Sequence, residues 1–270
     1  MSKKINNEIS GSPVIIVREE TLPAAWEKSV VECWNKGIEI KTEYDRPEDP
    51  PGKDCTIIIE VSYPFKEPRL HRAFPAGLND LEVYRQEVIF GIHDSWIKPE
   101  EGKWEYTYHE RLFNYLPPSF SQSINQIDFI VDKLSKVPHS RRAQATTWKC
   151  WLDPKSNDPP CLQRCWFRIF GKKLQLNVHL RSNDAFKAAF MNMFAFTELQ
   201  KMVADKISKK MKTTITVGKY IHIADSYHIY GSYYQQFKGF LDTLRKRTFK
   251  ERTWTTSFAQ PFFEEARKKL

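Results

Sequence analysis

The sequence predicts an α/β or α+β fold, with helices interspersed among the strands of a mixed or antiparallel sheet. Three patterns carry that prediction. Leu174, Leu176, Val178 and Leu180 alternate along KLQLNVHL, which pairs with QRCWFRIF across Gly171 as a β-hairpin. Trp26, Val30 and Trp34 recur every four residues and form the buried stripe of an amphipathic helix. From about Asp184 to Ile207 the chain is apolar on most sides, as expected of a long helix at the centre of a core.

The other elements follow in chain order. The first twenty residues, 1–20, are expected to be flexible. Thr21 caps the first helix, Pro23 sits in its first turn, and Gly37 ends it. A loop rich in Pro, Asp and Gly, YDRPEDPPGKD, leads into the β-branched strand CTIIIEV. Asn79 opens a helix that runs through Tyr84 and Glu87 to Gly91. Between His93 and Pro118 the sequence is aromatic and charged without a clear period, and reads as loops and short elements. Ile124, Ile127, Val131 and Leu134 mark a further amphipathic helix, which Pro138 ends. HSRR and a strand-like run, AQATTWKCW, then lead to the hairpin. Past the long helix come a lysine-rich loop, SKKMK, near Lys209, a strand, GKYIHIADSYHIY, and a helix carrying Tyr234, Phe237, Phe240 and Leu244. The terminal ARKKL reads as solvated surface. With no internal repeat and no long linker, residues 1–270 are expected to form one domain.

A chain of 270 residues, 41% hydrophobic and 14% aromatic, has the means to build a substantial core and is not a disordered segment. No apolar run is long enough to span a bilayer, and MSKKINNEISGSP lacks the hydrophobic stretch of a secretory signal. The five cysteines, Cys33, Cys55, Cys150, Cys161 and Cys165, are odd in number and lack disulfide-framework spacing, which fits a reduced cytoplasmic interior. Cys161 and Cys165 form a C-x3-C pair, but no second Cys or His cluster completes a zinc site, so no metal is expected. The net charge of +9 suits an anionic partner without distinguishing nucleic acid from phosphorylated metabolites.

The segment richest in chemistry reads DPPCLQRCWFRIFGKKLQLNVHLRSND, from Asp158 to Asp184. Cys161 begins the hairpin directly after Pro159 and Pro160, which fix the backbone approach and lack N–H donors. A cysteine at a strand start is commonly a small apolar core residue. Its polar flanks and neighbouring arginines also suit a thiolate nucleophile, because converging guanidinium groups lower a thiol pKa. Arg141 and Arg142, in PHSRR, are either two solvated side chains or a phosphate grip. Arg181-Ser182 adds a guanidinium and a hydroxyl at a strand end before a helix, where free N–H groups favour anions. His228 and Tyr230 lie two apart on a strand and share a face, which suits a sugar hydroxyl or an ordinary structural pair.

Together these pieces resemble the thymidylate synthase family, which includes the pyrimidine nucleotide hydroxymethylases. The family pattern is a Ser-Arg-Arg phosphate motif, a Pro-Cys at fixed spacing, an Arg-Ser at a second fixed spacing, then Asp, Asn and a later His-x-Tyr. Here Ser140-Arg141-Arg142 precede Cys161 with the first spacing and Arg181-Ser182 follow it with the second. Asp184 and Asn192 stand in register, and His228-x-Tyr230 completes the set. The resemblance is firm from about His139 to Tyr234 and faint through the preceding half. Leu162 stands where the family has His after the cysteine, Leu180 where it has Gln, Ala188 where it has Gly, and Phe190-Met191 where it has Pro-Phe. FEEARKKL does not match the family's carboxy-terminal segment that closes over the folate. These departures resemble a divergent, archaeal-like branch.

The resemblance implies the thymidylate synthase fold: a mixed sheet packed against a long central helix, with one sheet face forming a homodimer interface. The core active-site region would span 139–234. It implies a methyltransferase in which Cys161 adds to C6 of dUMP, and C5 then takes the methylene unit of 5,10-methylenetetrahydrofolate, giving dTMP. Arg181 and Ser182 would hold the nucleotide phosphate, Arg141 and Arg142 would complete the partner's phosphate site, and Arg46 would add a further contact. Asn192 would read the base edge, and an amide there favours dUMP over dCMP. His228 and Tyr230 would contact the 3′-hydroxyl and Asp184 would face the folate pterin. Tyr108 would help remove the C5 proton, and Glu87 would organise water around the base. The same resemblance leaves a second activity open, 5-hydroxymethylation of dUMP, dCMP or CMP, in which water captures the methylene before hydride transfer. From another class, the basic charge and eleven tyrosines suit an RNA-binding protein, though that reading leaves the Cys161–Arg181 spacing without a purpose.

Overall fold

The computed structural model describes residues 11–270. β1 (Val14–Glu19) leads into α1 (Leu22–Lys36), whose Trp26, Val30 and Cys33 are buried on one face. β2 (Ile38–Ile40) and β3 (Gly52–Val61) follow, the latter burying Cys55, Ile57, Ile59 and Val61 at every second residue. The short β4 (Leu70–His71) precedes α2 (Leu78–Phe90), which ends at Gly91 in the left-handed conformation. α3 (Tyr108–Phe113) and two single 3-10 turns occupy the aromatic stretch read as loops and short elements. α4 (Gln126–Lys136) buries Ile127, Ile130, Val131 and Leu134.

The second half carries β5 (Gln144–Thr146), β6 (Leu162–Phe170) and β7 (Lys173–Asp184), then α5 (Ala189–Met211) and β8 (Thr216–Ile229). α6 (Tyr234–Lys246), β9 (Thr253–Trp254) and α7 (Thr256–Lys268) complete the described chain. The main sheet runs β1-β3-β8-β7-β6-β5, with β2 added against β3. It is mixed: β1 with β3 and β7 with β8 are parallel, and the other pairs are antiparallel. This is the mixed α/β architecture expected, with α5 as the long central helix: Phe194, Phe196, Leu199 and Val203 along it are buried in the common core.

The two sheet faces differ. One packs Ile57, Tyr220, Leu176 and Phe167 into the core beneath the helices. The other presents a row in register across five strands, Ile16, Ile58, Ile223, His179 and Arg164, all exposed or half-exposed.

Several boundaries differ from the sequence reading, each for a local reason. Residues 14–19, expected to be flexible, are β1, because parallel pairing with β3 satisfies their backbone groups; residues 1–10 lie outside the described residues. The long helix starts at Ala189 and not near Asp184, because β7 continues in register with β8 as far as Asp184 and His228. The Asp184 carboxylate then accepts the Phe186 and Lys187 amides at 3.0 and 2.8 Å and turns the chain. SKKMK is the last turn of α5 and not a loop, closed by Lys212 in the left-handed conformation. Ile124 stays outside α4, because Asn125 caps that helix by accepting from the Asp128 amide at 2.9 Å. Only Gln144–Thr146 of the run AQATTWKCW is strand.

The carboxy-terminal helix was not anticipated. Thr255 caps α7, accepting from the Phe258 amide at 3.3 Å, and Ala259, Phe263 and Ala266 give it a buried face. Its last turn is tied to α2 through Arg267, which donates to the buried Glu82 carboxylate at 2.9 Å. Arg85 and Gln86 donate to the same carboxylate. Burial pushes the Glu82 pKa up, but these donors outweigh it and hold the carboxyl below its usual 4.5. A carboxylate lowered in the folded state stabilises above its unfolded pKa, and the contribution is lost as pH falls through the folded value. Thermal unfolding from pH 7 to pH 3 is therefore expected to show a fall in Tm below about pH 4.5 that is shallower in Glu82→Gln; equal slopes contradict the assignment.

Candidate active site

Cys161 is held from three sides by backbone geometry. It directly precedes β6, and the Arg181 amide of β7 donates to its carbonyl at 2.8 Å. The Arg181 guanidinium turns back and donates to the Pro159 carbonyl at 2.6 Å and the Pro160 carbonyl at 3.1 Å. Gln163 Nε2 donates to the same Pro160 carbonyl at 2.9 Å, so side chains of both strands lock the approach to the thiol. On the next residue, the Leu162 amide donates to the Tyr108 hydroxyl at 3.1 Å, which ties α3 to the same turn.

A cavity of about 330 Å³ opens beside the thiol. Cys161, Ser182, Asp184 and Asn192 line it together with Tyr108, His228 and Tyr230. Most of the site residues read from the sequence are thus brought to one place by four elements, of which α3 supplies Tyr108. β7 supplies Ser182 and Asp184, the first turn of α5 supplies Asn192, and the end of β8 supplies His228 with Tyr230 just beyond. The His228 and Tyr230 rings meet edge to face, 4.7 Å between centroids. A second cavity of about 440 Å³ shares Tyr84 and Tyr108 as a common wall, and contains Glu87, Trp104, Tyr106 and Asp158. Glu87 accepts from or shares a proton with His93 Nδ1 at 2.8 Å.

The arginines do not converge on the thiol from within this chain. Arg181 alone reaches its neighbourhood, and its guanidinium is occupied by the two proline carbonyls. Arg141 and Arg142 are exposed at the β5 edge, where the Arg141 carbonyl accepts from Trp166 Nε1 at 3.0 Å. Arg46 is exposed in the loop before β3. None of these three lines either cavity.

Electrostatics follow from burial. The Cys161 thiol is pushed above its usual 9.0 by desolvation; Arg181 pulls it down and Asp158 pushes it up. The expected lowering by arginines therefore does not occur in the chain as it stands, because one partly engaged guanidinium does not offset the lost water. Burial also raises Asp184, with the Lys187 and Phe186 amides and His228 opposing it, and raises Glu87 against the His93 bond. Tyr230 is raised to about 12, and Tyr84 and Tyr108 lie well above the usual phenol range. The phenols of the cavity walls are therefore neutral at physiological pH and able to donate hydrogen bonds.

Sequence reading missed three residues here. Tyr84 lines both cavities and donates to Asn192 Oδ1 at 2.5 Å; its place one helical turn before Glu87 was the available signal. Asn183 sits inside the Arg-Ser-x-Asp motif and lines the thiol cavity, its Oδ1 within 2.9 Å of the buried His222 Nε2. His222 is pushed down to about 3 by burial and stays neutral. Lys187 lies over the Tyr233 ring at 3.5 Å beside the cavity, where alternation gives no cue. Among the described residues no cluster of His, Cys, Asp and Glu could hold a metal ion, and no helix is long and apolar enough to cross a membrane.

Comparison with known proteins places this geometry in a family. The family model described as Thymidylate synthase matches residues 74–256, and the chain belongs to that family. It is accordingly an enzyme of methyltransferase type or one closely related to it. A protein of Methanocaldococcus jannaschii named "Putative thymidylate synthase" is 30% identical over 222 residues, covering 80% of this chain and 91% of that one. A protein of the same name from Methanosarcina barkeri is 32% identical over 212 residues, covering 78% and 89%. Among solved structures, thermostable thymidylate synthase A from Bacillus subtilis has the same fold, with a TM-score of 0.57 and 19% identity over 81% of this chain and 83% of that one.

In the free protein, Cys161 is expected to react slowly with iodoacetamide at pH 7 and to accelerate as pH rises past 9.0, as followed by peptide mass spectrometry. Labelling at pH 7 as fast as that of the exposed Cys150 would contradict the desolvated thiol.

Proposed function

We propose that this enzyme transfers a one-carbon unit from 5,10-methylenetetrahydrofolate to C5 of a pyrimidine nucleotide, with reductive methylation of dUMP to dTMP as its reaction. The observation that carries the reading is a cysteine and an amide facing one cavity of nucleotide-base dimensions. Cys161 supplies a sulfur at its edge, and Asn192 supplies a hydrogen-bonding edge. The sulfur adds to C6 of the ring, and the electron pair displaced from the C5–C6 double bond makes C5 a carbon nucleophile. His228 and Tyr230, which meet edge to face on the cavity wall, would hold sugar hydroxyls. Tyr108, at the start of α3 and bonded to the turn that holds Cys161, faces the same cavity; as a protonated phenol it orients the water that accepts the C5 proton.

The second cavity supports the folate assignment. Trp104, Tyr106 and Tyr108 give it flat apolar walls suited to a heterocycle, and it joins the thiol cavity at Tyr84 and Tyr108. The bound folate supplies the methylene carbon and, in a synthase, the hydride. Glu87, on the wall of this cavity, is the carboxylate to order water near the base; Asp184 lines the thiol cavity and not this one, so it would face the pterin only where the folate reaches across the shared wall of Tyr84 and Tyr108.

Arg181 and Ser182 lie on the strand beside Cys161 and are the near side of the phosphate site. Arg141 and Arg142 serve a second copy of the chain. They stand at the edge of the sheet face whose row of Ile16, Ile58 and Ile223 is exposed or half-exposed, and an apolar face of that kind fits a homodimer interface. Arg46, in its exposed loop, is a further phosphate contact. The buried core runs from Ile15 to Phe263 without a break, which supports one catalytic domain. Five unpaired cysteines suit a reducing, cytoplasmic setting.

A second reading, 5-hydroxymethylation of dUMP, dCMP or CMP, is favoured by one feature. α7 packs on α2 and lines neither cavity, which leaves water access to the one-carbon unit. Incubation of the protein with methylenetetrahydrofolate and dUMP, dCMP or CMP separates the two. Dihydrofolate with dTMP is expected; tetrahydrofolate with a hydroxymethylated nucleotide establishes the second reading. Cys161→Ser is expected to lose about a thousandfold or more of the rate, as for removal of a covalent nucleophile. Retention of full turnover would overturn both.

A further inference from the structure

Tyr84 has no part in the chemistry above, yet it lies on the wall shared by both cavities. Its hydroxyl donates to Asn192 Oδ1 at 2.5 Å. Among the described residues, no other acceptor is within hydrogen-bonding distance of that hydroxyl, and no other group bonds the Asn192 side chain. Asn192 is itself only 6% exposed, on the first turn of α5, where its amide N–H is spent on the Ala188 carbonyl at 3.0 Å.

An asparagine side chain presents a donor edge and an acceptor edge, and rotation by half a turn exchanges them. The phenol removes that freedom. It keeps its proton, because burial holds it well above the usual tyrosine range. That proton has one acceptor in reach. Were the amide reversed, its NH2 could donate to the phenol oxygen, but the phenol proton would be left buried without a partner, which costs more than the bond it replaces. The bond therefore fixes Oδ1 toward α2 and leaves NH2 turned the other way.

We propose that Tyr84 is a positioning residue that sets which pyrimidine the cavity accepts: by pinning Asn192 Oδ1, it fixes the amide to read a 4-oxo ring and not a 4-amino ring. The inference rests on the reading that this cavity holds the base. The amide NH2 meets the 4-oxo oxygen as donor to acceptor, and the second lone pair of Oδ1 remains for the ring N–H that accompanies a 4-oxo group. A 4-amino ring reverses both partners, setting donor against donor and acceptor against acceptor, and the amide is not free to turn.

The test measures kcat/KM for dUMP and for dCMP in the wild type, Tyr84→Phe, Asn192→Ala and the double variant. The preference for dUMP is expected to fall about tenfold in Tyr84→Phe, the worth of one net hydrogen bond. In the Asn192→Ala background the same change is expected to leave the ratio where it stands, because Tyr84 acts through that amide. Tyr84→Leu also lacks the hydroxyl and repeats the measurement should the phenylalanine variant not fold. Calorimetric binding of dUMP and dCMP gives the same ratio independently of turnover. An unchanged ratio in Tyr84→Phe, or an equal fall without Asn192, overturns the proposal. A wild type that binds neither nucleotide fails the reading of the preceding subsection, and this one with it.

Discussion

One main-chain hydrogen bond, from the Arg181 amide to the Cys161 carbonyl at 2.8 Å, sets the distance on which the rest of the site depends. It belongs to the β6–β7 pairing, in which Leu162 stands opposite Leu180. That register turns a sequence separation of twenty residues into direct adjacency. The Arg181 side chain then closes on the Pro159 and Pro160 carbonyls, so the segment before the cysteine is fixed by the strand that follows it. A one-residue slip of β7 against β6 would turn the buried residues of β7 to the other face and move Ser182 and Asp184 away from the thiol. The cavity beside Cys161 is in this sense a product of strand register before it is a product of side-chain chemistry.

The second constraint is desolvation. The cavity walls carry buried phenols and carboxyls, and burial shifts Tyr84, Tyr108, Tyr230, Asp184 and Glu87 upward; behind Asn183 it pushes His222 down to about 3. The neutral phenols and amides among these walls distinguish ligands by hydrogen-bond matching, because a mismatched buried group has no water to fall back on. The thiol is subject to the same rule. Its pKa is raised in the free protein, so the nucleophile stays masked unless further cationic groups are brought beside it. A homodimer that brings Arg141 and Arg142 to a partner's nucleotide would supply those groups, which links assembly to activation.

Much of this was legible in the chain because the informative residues sit on elements with simple periods. Strict alternation through Leu174 to Leu180 exposed the hairpin, and the hairpin made the Cys161-to-Arg181 spacing meaningful. His228 and Tyr230 were readable for the same reason, since residues two apart on a strand share a face. What was missed lies where contacts are long-range or local capping decides. Tyr84 meets Asn192 across 108 positions of sequence, a contact no local pattern announces. The start of α5 is set by Asp184 taking two amides, which holds the chain in a turn beyond the strand where apolar content alone suggested helix. α7 is docked by a buried carboxylate on α2, while its own surface is charged and carries an internal proline at Pro261. The pKa of Cys161 also ran against the sequence reading, since counting nearby arginines does not reveal how much water the fold removes.

The central claim is that the Cys161 sulfur forms a bond to C6 of a pyrimidine ring. It is tested most directly by intact-protein and peptide mass spectrometry after incubation with 5-fluoro-dUMP and methylenetetrahydrofolate. Fluorine at C5 blocks the proton loss that completes the reaction, so the covalent species persists. The account predicts one added nucleotide and one added folate per chain, both carried by the Cys161 peptide. An unmodified chain, or the same mass carried by Cys150, would contradict it.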